Sequence, residues 1–310
     1  MSGKKLIVVT GATGAQGGSV VRFLLEDGSF QVRAVTRNAD SEKAKELAAK
    51  GVEVVTGNLN DIESVKKAFT GAYGVFGVTS FWDRVEGGGS EKEIAHGKNL
   101  VDAAKATNIS HFVWSTLNNS APVHAAHWDS KALVDDYLKA SGVPRTSLYT
   151  ACYYENFTTF ARLTTNADGA LEANWGPINW SDGPLGAYSV EDTGAFVLHA
   201  FKNPNEWIGK DIPLIAEIIT ARSIVKTFSE VLGKPIKLIE VSKEDFENAQ
   251  HIPQLQELYR NNKWFYINEG NPNRDFALTK KIYPQVQSFE TWAKAHINQI
   301  TPQSGGSQWN

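Results

Sequence analysis

Two side chains able to hold or move a proton stand one helical turn apart in the stretch HWDSK: His127 and Lys131. On a helix that spacing puts both on one face. An imidazole near its ordinary pKa of about 6.5 donates a proton at neutral pH, and an ammonium beside it binds hydroxyls or lowers the pKa of a neighbouring donor. Ser115 or Thr116, closing the run HFVWST, offers a hydroxyl to orient a reacting group. Tyr153 and Tyr154 offer a third donor, because adjacent residues of an extended segment point to opposite sides. Each chemical reading has a plainer rival. Lys131 binds hydroxyls of a ligand while His127 fills a site without chemistry or points away from it. The tyrosines are a packed ring and a rim hydroxyl. Cys152, with no evident His/Asn arrangement, is buried filler rather than a nucleophile.

Such groups need elements to position them. Apolar, β-rich runs alternate with helical patterns through the first half: KLIVVT (5–10), FQVRAVT (30–36), VEVVTG (52–57), YGVFGVT (73–79), HFVWST (111–116) and RTSLYT (145–150) are predicted strands. Helices are predicted over 16–26, 41–50 opened by a Ser cap, 61–69, 91–107 and 125–140. This βαβ alternation implies an α/β fold with a doubly wound parallel sheet, a Rossmann domain over 1–157. Beyond it, Gly, Pro and Trp punctuate 168–188, and mixed helices and short strands follow. That pattern predicts a smaller α+β C-terminal lobe over 158–300, partly interwoven with the sheet, and a frayed tail over 301–310.

The first strand runs into Thr10-Gly11-Ala12-Thr13-Gly14-Ala15-Gln16-Gly17, a G-x-x-G-x-x-G pattern between strand and helix. Gly11 permits the tight turn, Gly14 lets backbone approach a pyrophosphate, and Gly17 lets the helix pack closely. The helix N-terminus adds N–H groups and a positive dipole end. A Gly-rich turn without a ligand would carry the same residues; its place at the head of a βαβ series favours a dinucleotide. NAD sites usually carry an acid about 20 residues on, at the tip of the second strand. Here the tip reads Val35-Thr36-Arg37-Asn38, and Arg37 can pair with a 2′-phosphate, so NADP(H) is expected ahead of NAD(H). Asn58 and Leu59 follow the third strand and should flank the adenine. Thr79, Ser80, Phe81 and Trp82 follow the fourth and should run beside the ribose and nicotinamide, loop packing being the rival for the two aromatic rings.

Composition narrows the class. The chain has 310 residues, 42% hydrophobic and 21% charged, with a formal net charge of −3 and one cysteine. An intramolecular disulfide is impossible, and neither a Cys-based metal site nor any other metal site is expected. No apolar run reaches the roughly 18–20 residues that span a bilayer. No Lys/Arg cluster suggests a nucleic-acid footprint, so no direct nucleic-acid contact is expected. The start, MSGKKLIVVTGATG, runs into a strand and a Gly turn without an apolar signal core, so a cytoplasmic protein is expected, nuclear also if a regulator. The aromatic-rich second half, with KWFYI (263–267), is core packing by default and otherwise a pocket wall or protein interface.

Together, TGATGAQGG (10–18), VTRN (35–38), VTSFWD (78–83), HWDSK (127–131), ACYYEN (151–156), SVEDTG (189–194) and GKPIKLIEVSKEDFE (233–247) resemble the NmrA-like family of atypical short-chain dehydrogenase/reductase proteins. The likeness covers nearly the whole chain and is strongest to the NADPH-sensor branch. It implies an extended Rossmann domain with NADP(H) in the crevice and a phosphate loop at Gly11–Gln16. It further implies Arg37 at the 2′-phosphate, Asn58 and Leu59 at the adenine, and Thr79–Phe81 with Lys131 at the nicotinamide half. Tyr153, Tyr154, Glu155 and Asn156 would close over that half. This sequence departs from the branch in three places. Asp40, Ser41 and Glu42 follow Arg37 where basic residues are usual, and Asn58 replaces an Asp. The loop DRVEGGGSEKE is longer, and whether Lys92 replaces a lysine of that branch stays open.

Ordinary short-chain reductases carry a Tyr where His127 stands; its phenol gives the proton, and the Lys lowers its pKa. Two functions follow from the resemblance and this substitution. One is a redox-state sensor or regulator that binds NADPH and NADP⁺ unequally and presents different surfaces to a protein partner. The other is an NADPH-dependent oxidoreductase that reduces a quinone, aldehyde or enone, a small apolar substrate, with Lys131, His127 and Ser115 at the active site. The sequence leaves the oligomeric state open, monomer or homodimer.

Overall fold

The computed structural model describes residues 3–83, 87–271 and 273–300; the predicted tail over 301–310 lies outside them. The chain divides into two compact units. The first takes the segment up to Asn119, Ala126–Thr150 and Glu191–Pro213; the second takes Ser120–Ala125, Ala151–Val190 and the chain from Leu214 on.

In the first unit, strands and helices alternate in the predicted order: β1 (Lys5–Val9), α1 (Ala15–Asp27), β2 (Phe30–Thr36), α2 (Glu42–Ala49), β3 (Glu53–Thr56), α3 (Ile62–Phe69), β4 (Gly74–Gly77), α4 (Ser90–Ala106), β5 (His111–Thr116), α5 (Ala126–Ser141) and β6 (Arg145–Tyr149). Of the local reasons, the Ser cap of α2 is the one expected from the sequence. Ser41 caps α2 by accepting from the Ala44 amide, Asp61 caps α3 by accepting from the Glu63 amide, and Gly28 closes α1 in the left-handed region at φ 69°. Every residue of β4 and β5 is buried, as expected of strands covered on both faces.

A seventh strand, Asp211–Pro213, adds beside β6. The sheet order is Asp211–Pro213, β6, β5, β4, β1, β2, β3, and every pairing is parallel. The order reverses at β1, so consecutive connections leave to opposite sides there and open a crevice between the ends of β1 and β4. Thr10 ties the two ends together. Its amide donates to Phe76 O at 3.0 Å, and its hydroxyl accepts from the Val78 amide at 2.9 Å. On one face, Val8, Val35, Val75, Phe112 and Trp114 form a core with Phe69, Leu100 and Val134 from the covering helices.

The last pieces of this unit come from late in the sequence. The helix Thr193–Lys202 docks on α1, where Gly194 donates its amide to Ser19 Oγ at 2.9 Å. A Cβ at Gly194 would stand 2.3 Å from Ser19 O, so glycine is what permits the approach.

The second unit holds two small sheets. In one, Leu185–Tyr188 pairs antiparallel with Glu217–Ile219 and parallel with Cys152–Tyr153; in the other, Leu171–Ala173 lies between Ile236–Leu238 and Thr164–Thr165. Ile178, Phe246, Ala249 and Tyr259 form a core, with Trp180 and Tyr266 packed against it. Of KWFYI, Trp264 and Phe265 are buried while Ile267 is exposed. Among the described residues, no helix is long and apolar enough to cross a membrane, and no cluster of three or more His, Cys, Asp or Glu is arranged to hold a metal ion.

At the start of β5, His111 is fully buried. Its Nε2 lies 2.8 Å from Thr146 Oγ1, and that hydroxyl already donates to Trp207 O at 2.7 Å, so Nε2 carries the hydrogen. Burial pushes the imidazole down to about 4 from its ordinary 6.5. The unfolded chain therefore takes up this proton below about pH 6.5 and the folded chain only near pH 4. Stability is complete above 6.5 and falls by up to about 3 kcal/mol as pH drops to 4. His111→Gln should lose most of this dependence, read as urea midpoints at pH 7 and pH 4.5. Equal pH slopes in both proteins would remove His111 from the account.

Candidate functional site

The turn after β1 is shaped by backbone contact. Gly11 sits at φ 59°, and a Cβ there would meet Val78 Cγ1 at 2.9 Å. A Cβ on Gly17 would stand 2.2 Å from Gly11 O and 2.9 Å from Ala12 Cα, so this glycine lets α1 start directly against the turn. The Gly14 amide donates to Gly11 O at 2.9 Å and closes the loop. Gly14 is also the N-cap of α1; no side chain caps the helix and no acidic residue lies in its first turn. Gly11, Gly14 and Ala15 are exposed, Thr13 and Gln16 partly so, while Ala12 and Gly17 are buried. A bare helix N-terminus with exposed glycine backbone around it fits a phosphate group.

Ser115 is buried, and its hydroxyl donates to Gln16 Oε1 at 2.6 Å. It thereby ties β5 to the first turn of α1. Thr116 is also buried, and its hydroxyl lies 3.2 Å from Lys131 O.

Lys131 is the centre of a polar cluster. Its Nζ donates to Glu93 Oε1 at 2.7 Å and to Thr79 O at 3.1 Å, with Thr79 Oγ1 at 3.3 Å. Glu93 also accepts from Thr79 Oγ1 at 2.9 Å and from Ser130 Oγ at 2.5 Å, and its side chain is 0% exposed. Burial by itself pushes the Glu93 carboxyl up, but the Lys131 ammonium and the two hydroxyl donors outweigh it and hold the group below its ordinary 4.5. The meeting depends on Gly97, where a Cβ would stand 2.5 Å from Val134 Cγ2, so α4 and α5 pack closely.

Glu93 and Ser130 were not among the predicted site residues. The signal was present: Glu93, Gly97, Leu100 and Ala104 follow helical spacing, so the carboxylate lies on the apolar stripe of α4, and all four are buried. A carboxylate on a buried stripe demands a cation.

His127 packs among rings, 5.7 Å from Phe81 and 5.6 Å from Trp82 between centroids. Phe81 and Trp82 themselves meet edge-on at 4.8 Å. The predicted neighbours Thr79 and Phe81 are thus gathered with His127 and Lys131, while Ser80 is exposed.

Beyond the end of β2, Arg37 Nη1 donates to Asp83 Oδ2 at 2.7 Å. The Asn58 side chain turns into its own loop, Oδ1 accepting from the Asn60 amide at 2.9 Å and from Asn60 Nδ2 at 3.1 Å. Leu59 O accepts from Asn99 Nδ2 at 2.8 Å, and its side chain packs on the core.

Tyr153, Tyr154, Glu155 and Asn156 belong to the second unit. There the Tyr153 ring meets Tyr188 edge-on at 5.5 Å. Tyr154 is fully buried against Phe289 and Trp292. Glu155 accepts from Ser189 Oγ at 2.7 Å and from the Val190 amide at 3.0 Å. Asn156 Nδ2 lies 3.5 Å from Cys152 Sγ, whose thiol burial pushes up to about 11.

The sheet order and the glycine turn define a Rossmann-type α/β protein. The chain belongs to the NmrA-like family, whose profile it matches over residues 3–293. It is 32% identical over 280 residues to the NmrA-like family domain-containing oxidoreductase cpsB of Aspergillus campestris, covering 83% of this chain and 81% of that one. Among solved structures it is similar to NmrA, a negative transcriptional regulator, with TM-score 0.77 and 26% identity over 94% of this chain and 95% of that one. NmrA has also been solved with NAD and with NADP, each at TM-score 0.74. The NADPH-dependent quinone oxidoreductase QOR2 of Escherichia coli shares the fold, with TM-score 0.75 and 20% identity over 94% of this chain and 99% of that one.

The buried Lys131–Glu93 pair yields a stability test. Lys131→Met leaves a buried carboxylate without its cation and should cost about 3 kcal/mol. Adding Glu93→Gln should recover most of that loss, measured by urea unfolding at pH 7. A loss below about 1 kcal/mol in the single variant would mean that the carboxylate neutralises itself without help.

Proposed function

We propose that this chain binds NADP(H) through the turn Gly11–Gly17 and serves as a sensor of nicotinamide redox state, coupled to a protein partner. The observation that carries this reading is the environment of Lys131. Its ammonium is engaged by the buried Glu93 carboxylate and by Thr79, and the residue one turn before it is His127 rather than Tyr. A lysine so held is a positioned cation suited to ribose hydroxyls, and the residue one turn before it brings no phenol to activate. Cofactor binding draws further support from the uncapped N-terminus of α1, the glycine backbone around it, and the NAD and NADP complexes of NmrA.

In this reading Gly11, Ala12, Thr13, Gly14, Ala15, Gln16 and Gly17 hold the pyrophosphate, Arg37, Asn58 and Leu59 the adenosine end, and Thr79, Ser80, Phe81 and Lys131 the nicotinamide half. The switching energy is bounded by the difference in affinity between NADPH and NADP⁺.

A second reading, an oxidoreductase acting on a quinone, aldehyde or enone, is favoured by two observations. The relative cpsB is named an oxidoreductase. The His127 ring is half-buried against Phe81 and Trp82, on the same helix face as Lys131. The cofactor, when bound, supplies a hydride; His127 would hold the proton for the acceptor.

Single-turnover oxidation of NADPH by excess protein, against a panel of quinones, aldehydes and enones, separates the readings. The sensor reading expects NADPH to bind and persist with every acceptor. If one acceptor is reduced, and His127→Ala and Lys131→Ala slow the hydride step by roughly tenfold or more while NADPH still binds, the oxidoreductase reading replaces it. Absence of NADPH binding would defeat both.

A further inference from the structure

The end of β2 carries no acid, yet a carboxylate is present beside Arg37. It comes from Asp83, in the loop after β4. In the sheet β1 lies between β2 and β4, so the Arg37–Asp83 contact bridges two loops that flank the glycine turn. The Asp83 side chain is only 13% exposed, whereas Arg37 is 50% exposed, so the carboxylate is the more sheltered partner and the less screened by salt.

We propose that Asp83 is a specificity-determining residue for the dinucleotide. This rests on the cofactor reading above and sharpens it. A 2′-phosphate brought to Arg37 must share one guanidinium with a fixed carboxylate, and two anions so placed repel. A 2′-hydroxyl carries no charge and can donate to that carboxylate. Asp83 therefore supplies, from the loop after β4, the acid that NAD sites place at the tip of β2, and it opposes the preference that Arg37 creates. The outcome is a site that admits both dinucleotides, with NADP(H) less favoured than Arg37 alone would make it.

The test is the ratio of NADPH to NADH affinity, measured by calorimetry at fixed ionic strength for the full chain and the variants Asp83→Asn, Asp83→Glu and Arg37→Gln/Asp83→Asn. Asp83→Asn should tighten NADPH by roughly tenfold while NADH stays equal or weakens. Asp83→Glu should keep the original ratio, and the gain should vanish when Arg37 is also replaced by Gln. Adenosine 2′,5′-bisphosphate and 5′-AMP, which carry only the adenosine end, should reproduce the same ratio changes. If Asp83→Asn weakens NADPH, Asp83 merely orients Arg37 and the proposal falls. An equal change in both cofactors, or a gain that survives without Arg37, overturns it as well. Failure of the unmodified protein to bind either dinucleotide defeats the cofactor reading itself.

Discussion

A backbone carbonyl, Gly11 O, occupies the space that any side chain at residue 17 would need. The candidate cofactor site depends on this contact. It lets α1 begin just after its N-cap Gly14, directly beyond the end of β1, so the positive end of the helix lies at the strand tips. The sheet reverses direction of growth at the same strand, and the crevice opens beside β4. The Thr10 hydrogen bonds to Phe76 and Val78 keep those two strand ends in register. Bulk at residue 17 would push helix and turn apart and carry the Gln16–Ser115 contact with them.

Electrostatics inside the α4–α5 contact decide what Lys131 can do. A carboxylate and an ammonium within a packed helix pair are stable only together, with their remaining positions filled by hydroxyls. Thr79 and Ser130 provide these. The arrangement preorganises a cation at the rim of the crevice. It also explains why a helix with a polar start packs against α5 so tightly: the close approach at Gly97 brings Glu93 within reach. Similar reasoning applies in the second unit, where Glu155 is taken up by Ser189 and the Val190 amide and Tyr154 by an aromatic core.

Much of the fold was legible in the chain. The period-two and helical patterns located the strands and helices of the first half because each is buried on a regular face, and Ser41 and Gly28 act locally at helix ends. The glycine turn was legible for the same reason, since its spacing follows from steric demands within a few residues. The polar partners were harder to read. Glu93 stands far from Lys131 in sequence, and only its place on a buried helix stripe hints that it needs a cation. Asp83 looks like an ordinary loop acid until β2 and β4 are seen to flank β1. Asn58 could have turned its amide outward, but a local turn through Asn60 holds it.

By itself the sequence determined the alternation of elements, the parallel sheet, the glycine-rich turn after the first strand and the absence of Tyr at position 127. These rest on interactions between near neighbours or on simple burial patterns, which repeat along the chain. The tertiary structure alone decided the partners of these charges and of a buried hydroxyl: Glu93 for Lys131, Asp83 for Arg37, Gln16 for Ser115. It also brought Glu191–Pro213 back to the first unit, onto α1 and the edge of β6. The physical reason is that a charge or hydroxyl needs a partner in contact, and which residue makes that contact depends on how close two helices or two loops come in space.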